Sequence, residues 1–363
     1  MTAAVEIYDT TLRDGSQRAG ISYSVADKLR IARALDALGV TFVEAGWPGS
    51  NPKDAELFAR LRREPLGRAT LCAFGATRRV DRTCADDPSL VALVDAATPV
   101  CTIFGKSSRF QAIEILGASA DDNLQMIADT VAFLRAAGRR VVYDAEHFAA
   151  GFAADPAYAL ATLAAAARAG AETVVLCDTT GGALPWEIDA AVRAARDHLG
   201  PMGPRIGVHA HDDSGCATAN SLAAVRAGAA HVQGTINGYG ERCGNADLTA
   251  VIPGLALKLG VATAIDLAAL PALARLVADI ANLPPDDHAP YVGASAFAHK
   301  GGVHVAAMLR DPTSYQHIDP AVVGNAARFA VSELAGRATM VERARALGLP
   351  ELAPAEAAAA VAT

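Results

Sequence analysis

The most constraining feature of this sequence is an alternation of strand-like and helix-like segments that repeats eight times within about 260 residues. Short apolar runs such as VEIYD, ATLCAFG and ETVVLCDTT are followed by longer amphipathic runs such as VADKLRIARALDALG. Parallel strands need crossover connections, and helices are the usual ones. Eight such units predict an α/β protein built as a (β/α)8, or TIM, barrel.

The alternation stops near residue 275, at the Pro-rich segment LPPDDHAPYVG. We therefore predict a barrel domain over residues 1–275, followed over residues 276–363 by a linker and a small, mostly helical C-terminal extension. An open, doubly wound sheet is the alternative fold. It would need a glycine-rich nucleotide turn after the first strand, and the segment DTTLRDGSQ does not supply one.

Composition excludes several classes of function. The net charge of -7 comes from dispersed acids, and no basic block suggests a nucleic-acid partner. No apolar run approaches the length of a membrane span, so we expect no membrane partner. The six cysteines are widely spaced without a CxxC pair, which is typical of reduced, mostly buried thiols in a cytoplasmic protein.

A dense polar cluster, EIYDTTLRDGSQ, follows the first predicted strand. The C-terminal ends of barrel strands and the loops after them form the functional site, so Arg13 and Asp14 are candidates. Helix capping or a surface Arg–Asp pair is the alternative, but capping explains one acid and not the cluster. Glu44, on the next strand, is suited to hold the Arg13 guanidinium facing an oxyanion.

The pair His209 and His211 at the end of the seventh strand is the most specific signal. Residues i and i+2 of a strand point to the same face, so both imidazoles reach one point. With Asp14 and Asn245 they form a nitrogen and oxygen donor set that suits an exchangeable Mg2+, Mn2+, Co2+ or Zn2+. Hydrogen bonding of the histidines within a polar loop is the alternative, and the acid and amide at neighbouring strand ends favour the metal.

Other strand ends carry residues with two open interpretations. Glu146 either meets substrate or orients a histidine, and Thr179 either meets substrate or caps the next helix. The aromatic residues at or near the ends of strands 2 to 5 either narrow the substrate space or belong to the core; they are Trp47, Phe74, Phe104 and Tyr143. In the extension, the glycines of HKGGVH allow close approach to another surface, which makes His304 a candidate catalytic base.

These motifs resemble the metal-dependent acyl-CoA condensing barrels, a family of isopropylmalate, homocitrate and citramalate synthases that shares its barrel with hydroxymethylglutaryl-CoA lyase. The resemblance rests on DTTLRDGSQ, HAHDDSGCATANSLAAVRAG, GTINGYGERCGNADL and FAHKGGVH, in family order over residues 5 to about 337. Within the family, the segments most similar to the citramalate synthase branch are VEAGWPGSNPKD, YDAEHF, CDTTGG and HIDPAVVGN.

The resemblance implies roles for individual residues. The metal ligands would be Asp14, His209 and His211, with Asn245 as a further ligand or close neighbour. Arg13, supported by Glu44, would polarise the carbonyl of a 2-oxo acid. The substrate carboxylate or the acetyl group would be met by Thr179 and Glu146, and His304 would assist enolisation of acetyl-CoA.

The resemblance also implies the reaction and the assembly. The expected reaction is a Claisen condensation of acetyl-CoA, the co-substrate, with a 2-oxo acid, followed by thioester hydrolysis. Phe104 and Tyr143 are expected at the substrate, where aromatic bulk favours pyruvate over 2-oxoisovalerate. A domain-crossed homodimer is implied, with His304 delivered from the partner. Family synthases usually carry a further amino-acid-sensing domain, and we expect none within these 363 residues.

Three other activities remain open at this point. Isopropylmalate or homocitrate synthesis would use the same fold and chemistry. A lyase of the hydroxymethylglutaryl-CoA type would need a cysteine loop near the eighth strand, and Cys243 lies there in a synthase-like ERCGN context. A non-catalytic binding relative is the last alternative, although such a protein has no need of a metal and a base together.

Overall fold

The structure, a computed structural model, describes residues 4–329, 340–341, 344–345 and 347–350. These residues fall into two compact units. The first holds the described residues up to 266 together with 276–283, and the second holds 267–275 and the described residues from 284 onward. The helix at Leu270–Ala281 contains residues of both units. The domain boundary predicted between residues 275 and 276 falls inside this helix and stays a prediction.

All eight strands predicted from the sequence are present in the first unit. They are β1 (Glu6–Asp9), β2 (Phe42–Gly46), β3 (Thr70–Ala76), β4 (Val100–Lys106), β5 (Arg140–Glu146), β6 (Thr173–Asp178), β7 (Arg205–Ala210) and β8 (His231–Gly234). Each strand pairs in parallel with its neighbours in chain order, and β8 pairs with β1. The sheet therefore closes, and the predicted (β/α)8 barrel is confirmed.

Helices connect the strands and continue into the second unit. They are α1 (Val25–Leu38), α2 (Pro52–Arg63), α3 (Pro88–Asp95), α4 (Ala120–Ala136), α5 (Phe148–Ala154), α6 (Pro156–Arg168), α7 (Pro185–Leu199), α8 (Ala217–Ala227), α9 (Leu248–Pro253), α10 (Leu270–Ala281) and α11 (Gly302–Arg310). Within the described residues, none of the helices has both the length and the apolar character needed to cross a bilayer.

Local sequence explains where these helices begin and end, as α1 illustrates. Ser24 and Asp27 form a reciprocal capping box that satisfies free backbone amides at its start. Ile31 and Leu35, four residues apart, are buried on one face. Gly39, with φ of 94°, ends the helix in the left-handed conformation that glycine adopts without steric cost.

The second unit is small and mostly helical, as predicted. Its described residues contain the start of α10, α11, three short 3-10 turns at Leu267–Ala269, Pro312–Ser314 and Pro320–Val323, and a parallel pair of two-residue strands. These strands are β9 (Ala298–His299) and β10 (Arg328–Phe329). Two residues are too few to show an alternating pattern, which is why the sequence does not predict them.

The loop after β1 is fastened to the loop after β8 by the buried Asp9. Its carboxylate accepts hydrogen bonds from the Thr11 backbone N–H and the Thr11 hydroxyl, both at 2.9 Å. The Ile236 N–H donates in turn to the Thr11 hydroxyl oxygen, also at 2.9 Å. Burial raises the pKa of Asp9 to about 7. This network fixes the two loops that carry Asp14 and Asn245.

A second buried polar contact shapes the loop after β2. Lys28, on α1, forms an ion pair with Asp54 on α2, and both side chains are buried. The other Asp54 carboxylate oxygen accepts the Trp47 N–H at 2.9 Å. Gly46, with φ of 155°, leaves room for this carboxylate, since a Cβ there would lie 2.3 Å from the Asp54 Cγ. The pair therefore positions Trp47 at the C-terminal end of the barrel.

We predict that Lys28→Met lowers the free energy of unfolding by about 3 to 5 kcal/mol, because it leaves the buried Asp54 carboxylate without its cation. Arg33→Met is the matched control, since Arg33 forms an exposed pair with Glu64, and its removal should cost less than about 1 kcal/mol. Urea unfolding of both variants measures the difference. Equal losses in the two variants would contradict the assigned role of the buried pair.

Candidate active site

A cavity of about 200 Å³ lies at the C-terminal ends of the barrel strands. This is the end of a TIM barrel where functional sites are found. The residues that line it are Arg13, Asp14, Gln17, Trp47, Phe74, Phe104, Asp144, Glu146, Cys177, Thr179, His209, His211 and Glu241. The cavity therefore brings together residues from all eight strands or the loops after them.

Three of the four residues predicted to bind a metal converge in this cavity. The Asp14 carboxylate oxygen lies 3.4 Å from His209 Nε2 and 3.8 Å from His211 Nε2. The ligand atoms of these three buried residues all lie within 4.8 Å of one another. Among the described acids, histidines and cysteines, these three residues form the group whose geometry could hold a metal ion.

Asn245, the fourth predicted ligand, lies beside His211. Its backbone forms an isolated bridge with His211, and its side chain is buried. The Nδ2 atom donates to the Tyr239 carbonyl oxygen at 3.0 Å, whereas Oδ1 has no hydrogen-bond partner within the described part of the chain. A buried amide oxygen without a partner is costly unless a ligand occupies it. The residues present thus fit a divalent cation with mixed nitrogen and oxygen ligands.

The protonation states also suit a cation. Burial raises the pKa of Asp14, but Arg13 and the two histidines outweigh it and hold the pKa below the ordinary value. Burial lowers the pKa of His209 to about 3. An ionised carboxylate and a neutral imidazole are the forms that ligate metals.

Arg13 is held rigidly beside this group. Its Nε donates to Glu44 Oε1 at 2.6 Å, and its guanidinium carbon lies 3.7 Å from the centre of the Phe74 ring. Its Nη1 lies 3.4 Å from the Asp14 carboxylate. Burial lowers the pKa of Arg13, but Glu44 and Asp14 outweigh it and leave the net shift upward, so the guanidinium stays charged. The predicted support of Arg13 by Glu44 is present in the structure.

Tyr8 contributes a contact that the sequence does not predict. Its hydroxyl donates to Glu44 Oε2 at 2.6 Å and also hydrogen-bonds with the Thr102 hydroxyl. Burial raises the pKa of Glu44, and Arg13 and the Tyr8 hydroxyl oppose that shift. Each oxygen of the fully buried Glu44 carboxylate therefore has its own donor. A tyrosine within an apolar strand looks like core, so no sequence signal separates Tyr8 from its neighbours.

Three aromatic residues form one wall of the cavity, in agreement with the sequence prediction that they lie near the site. Phe74 and Phe104 stack with their centroids 5.5 Å apart. Trp47 meets both rings edge-on at 5.7 Å. Because Phe74 also carries the Arg13 guanidinium, the wall both narrows the cavity and holds its cation.

The structure corrects the placement of Tyr143, which the sequence assigned to the substrate. Tyr143 is fully buried and does not line the cavity. Its hydroxyl hydrogen-bonds with the Ser107 hydroxyl at 3.1 Å and with the Gly105 carbonyl oxygen at 3.2 Å. The physical reason is that neighbouring residues of a strand face opposite sides. Asp144 and Glu146 face the cavity, so Tyr143, which is adjacent to Asp144, faces away from it.

Glu146 and Thr179 line the cavity at the ends of β5 and β6. Glu146 forms an ion pair with Lys106, a residue that the sequence analysis does not single out. The Thr179 hydroxyl accepts the His147 N–H at 2.8 Å, and the Thr179 carbonyl oxygen accepts from Arg242 at 2.8 Å. Both side chains are therefore oriented by neighbouring loops.

Asp144 lies in the cavity wall as a buried acid, and no lysine or arginine in the described part of the chain forms an ion pair with it. The Gln233 amide donates to its Oδ1 at 2.9 Å. Burial raises the pKa of Asp144 well above its ordinary value, and the nearby Glu44 adds to the rise. The sequence indicates Asp144 as a polar residue at a strand end but cannot show Gln233, which comes from β8.

His304 lies on α11 in the second unit. Its side chain is exposed, and its ring centroid is 4.4 Å from that of Tyr315. The residue is thus available at the surface of its unit, and its catalytic role stays a prediction.

The fold and the site define a (β/α)8 barrel with a candidate metal centre and a fixed arginine at its C-terminal mouth. The HMGL-like family matches residues 4–277. This chain therefore belongs to the HMGL-like family. Residues 291–363 match a second family, described as homocitrate synthase post-HMGL domain-like.

Several named proteins are similar to this chain. An (R)-citramalate synthase of Synechocystis sp. is 54% identical over 94% of this chain, and one of Streptomyces coelicolor is 50% identical over 94%. In both comparisons this chain spans 64% of the relative's length. Homocitrate synthase AksA of Methanopyrus kandleri is 35% identical over 95% of this chain and 83% of its own.

Solved structures agree with the fold. A hydroxymethylglutaryl-CoA lyase from Pseudomonas aeruginosa superposes with a TM-score of 0.65, covering 78% of this chain and 94% of the lyase. Its sequence identity is 22%, so this likeness concerns the fold alone.

We predict that His211→Ala weakens Mn2+ binding by about 100-fold or more, because it removes one of the converging ligand atoms. His198→Ala is the matched control, since His198 lies exposed near the end of α7 and should leave binding unchanged. Calorimetric titration of the metal-free proteins with Mn2+ measures both. Equal affinity of the His211 variant and the unmodified protein would rule out the proposed centre.

Proposed function

We propose that this chain condenses acetyl-CoA with pyruvate and hydrolyses the thioester, releasing citramalate and free CoA. One observation carries the proposal: three side chains that could hold a metal ion, a fixed cation and an aromatic wall surround a cavity of about 200 Å³. The similarity to proteins named (R)-citramalate synthase, at 46 to 54% identity over nearly all of the chain, supports the same reaction.

The cation would act on the ketone of the 2-oxo acid. Negative charge develops on the ketone oxygen as the new carbon–carbon bond forms, and a preorganised donor stabilises that charge most effectively. Arg13 meets this requirement because Glu44 and Phe74 fix its guanidinium before substrate arrives. The Thr179 hydroxyl, in the same cavity, would bind the substrate carboxylate.

A divalent cation would be held by Asp14, His209 and His211, with Asn245 as a further ligand or close neighbour. When bound, Mg2+, Mn2+, Co2+ or Zn2+ supplies Lewis-acid polarisation and a template for orienting a 2-oxo acid. The three ligating side chains would hold it next to Arg13, so that the guanidinium and the metal site act on the same substrate.

The acetyl group must lose a proton to become a nucleophile. A base takes it from the methyl carbon, the carbanion equivalent bonds to C2 of pyruvate, and the ketone oxygen takes up a proton. Water then cleaves the thioester and frees CoA. We assign the base to His304, with Glu146 near the acetyl group. Because His304 is exposed on its own unit, we propose a domain-crossed homodimer in which the partner chain supplies it.

The aromatic wall supports pyruvate as the 2-oxo acid. Trp47, Phe74 and Phe104 pack against each other along one wall of the cavity, where we place the side chain of the 2-oxo acid. In an apolar pocket, a difference of one methylene between two substrates changes the discrimination between them by about 1 to 3 kcal/mol. Pyruvate, with a single methyl group, needs the least room.

The direct test is thiol release by the purified protein with acetyl-CoA, Mn2+ and a panel of 2-oxo acids. We expect release with pyruvate and at most slow release with 2-oxoisovalerate or 2-oxoglutarate. Omission of the metal should abolish it. Faster release with either larger acid would replace this function by isopropylmalate or homocitrate synthesis, and no release with any acid would reject the condensing activity.

We predict that Phe104→Ala lowers the preference for pyruvate over 2-oxobutyrate, expressed as a ratio of kcat/KM values, by about tenfold or more. The change removes a ring from the cavity wall. Phe110→Ala is the control, because Phe110 is 60% exposed and outside the cavity. Competition between the two acids at fixed acetyl-CoA measures the ratio. An unchanged ratio in the Phe104 variant would show that the wall does not set specificity.

A further inference from the structure

Lys106 pairs with Glu146, which lines the cavity, and the proposed reaction gives this lysine no role. It is the last residue of β4, and Glu146, the last residue of β5, is its register partner. Residues i and i+2 of a strand share a face, so Lys106 lies on the same face as Phe104, which lines the cavity. The topology thus places this cation at the mouth of the barrel.

The Lys106 ammonium forms an ion pair with Glu146 Oε2, and the two side chains are only 18% and 23% exposed. The backbone on both sides is fixed. The Asn123 amide donates to the Lys106 carbonyl oxygen at 2.8 Å, and the Ser107 N–H donates to the Glu146 carbonyl oxygen at 2.9 Å. The pair is therefore held by the strand ends and not by two mobile surface chains.

The charges around Glu146 indicate the role of the Lys106–Glu146 ion pair. The cavity wall already contains the acids Asp14, Asp144 and Glu241, and a 2-oxo acid is itself an anion. The other basic groups nearby are engaged elsewhere or neutral: Arg13, which also lines the cavity, pairs with Glu44 and Asp14. Burial lowers the pKa of His147, which favours its neutral form. Arg242 is paired with Asp213, whose carboxylate oxygens accept from two of its guanidinium nitrogens within 3.0 Å.

We infer that Lys106 is a positioning residue that neutralises Glu146 and fixes its carboxylate at the end of β5, so that the cavity admits an anionic 2-oxo acid. This inference rests on the proposed function and deepens it, because it names the residue that makes the cavity tolerant of the substrate's carboxylate. Without the ammonium, two like charges would face each other in a partly desolvated space.

The test is a double-mutant cycle read by binding. The dissociation constant for pyruvate is measured calorimetrically, with Mn2+ present, for the unmodified protein, Lys106→Met, Glu146→Gln and the double variant. Lys106→Arg keeps the cation and serves as the rescue variant. Thermal unfolding and Mn2+ affinity of each protein show whether a change is merely structural.

We expect Lys106→Met to weaken pyruvate binding by about tenfold or more, with Mn2+ affinity unchanged. Lys106→Arg should stay within about threefold of the unmodified protein. In the Glu146→Gln background the Lys106→Met change should alter the dissociation constant by less than about twofold, since no carboxylate remains to be neutralised.

An unchanged dissociation constant in Lys106→Met would overturn the inference, and so would an equal loss in both backgrounds. Either result leaves the proposed function intact as long as the unmodified protein binds pyruvate and releases thiol. Failure of the unmodified protein to bind pyruvate would instead reject the proposed function, and this inference with it.

Discussion

The buried Glu44 carboxylate is the group on which the site depends. A carboxylate removed from water is costly unless it is paired and hydrogen-bonded, and removing one partner of a buried pair typically costs about 3 to 5 kcal/mol. Here one oxygen accepts from Arg13 and the other from Tyr8. The contact joins β2 to the loop after β1, and it fixes the direction of a cation in front of the cavity.

The other charges of the site are arranged around that cation. Asp14 is shared between Arg13 and the two imidazoles, and its charge is favoured by all three. Burial keeps the His209 imidazole neutral, which leaves its lone pair free for a metal. A cation fixed in place next to a set of candidate ligand atoms is an arrangement that stabilises negative charge on a substrate oxygen. The closed barrel makes this possible because β1, β2 and β7 end at one mouth.

Much of this site can be predicted from the sequence, because the strands of this barrel follow one another around the ring in chain order. Once the eight strands are recognised, the residues at their C-terminal ends must meet, which places Asp14 beside His209. The error at Tyr143 came from ignoring parity, since a strand in which Glu146 faces inward must direct Asp144 inward and Tyr143 outward. The same parity, counted from Phe104, indicates Lys106.

Other contacts depend on register between strands that are distant in sequence. Gln233 meets Asp144 across the barrel, and Thr102 meets Tyr8 from β4. Whether a buried polar side chain in such a strand finds a partner depends on shear and tilt, which local patterns do not specify. The small strands of the second unit are missed for a different reason, because each has only two residues.

The central claim is that Arg13 and the metal site act on the same oxygen of a 2-oxo acid whose methyl group meets the aromatic wall. A crystal structure with Mn2+ and pyruvate tests it most directly. The claim predicts the ketone oxygen within about 2.7 to 3.1 Å of an Arg13 guanidinium nitrogen, with the methyl group against Phe104. Pyruvate bound elsewhere, or bound with its methyl group directed away from the aromatic wall and Arg13 turned from the ketone, would contradict it.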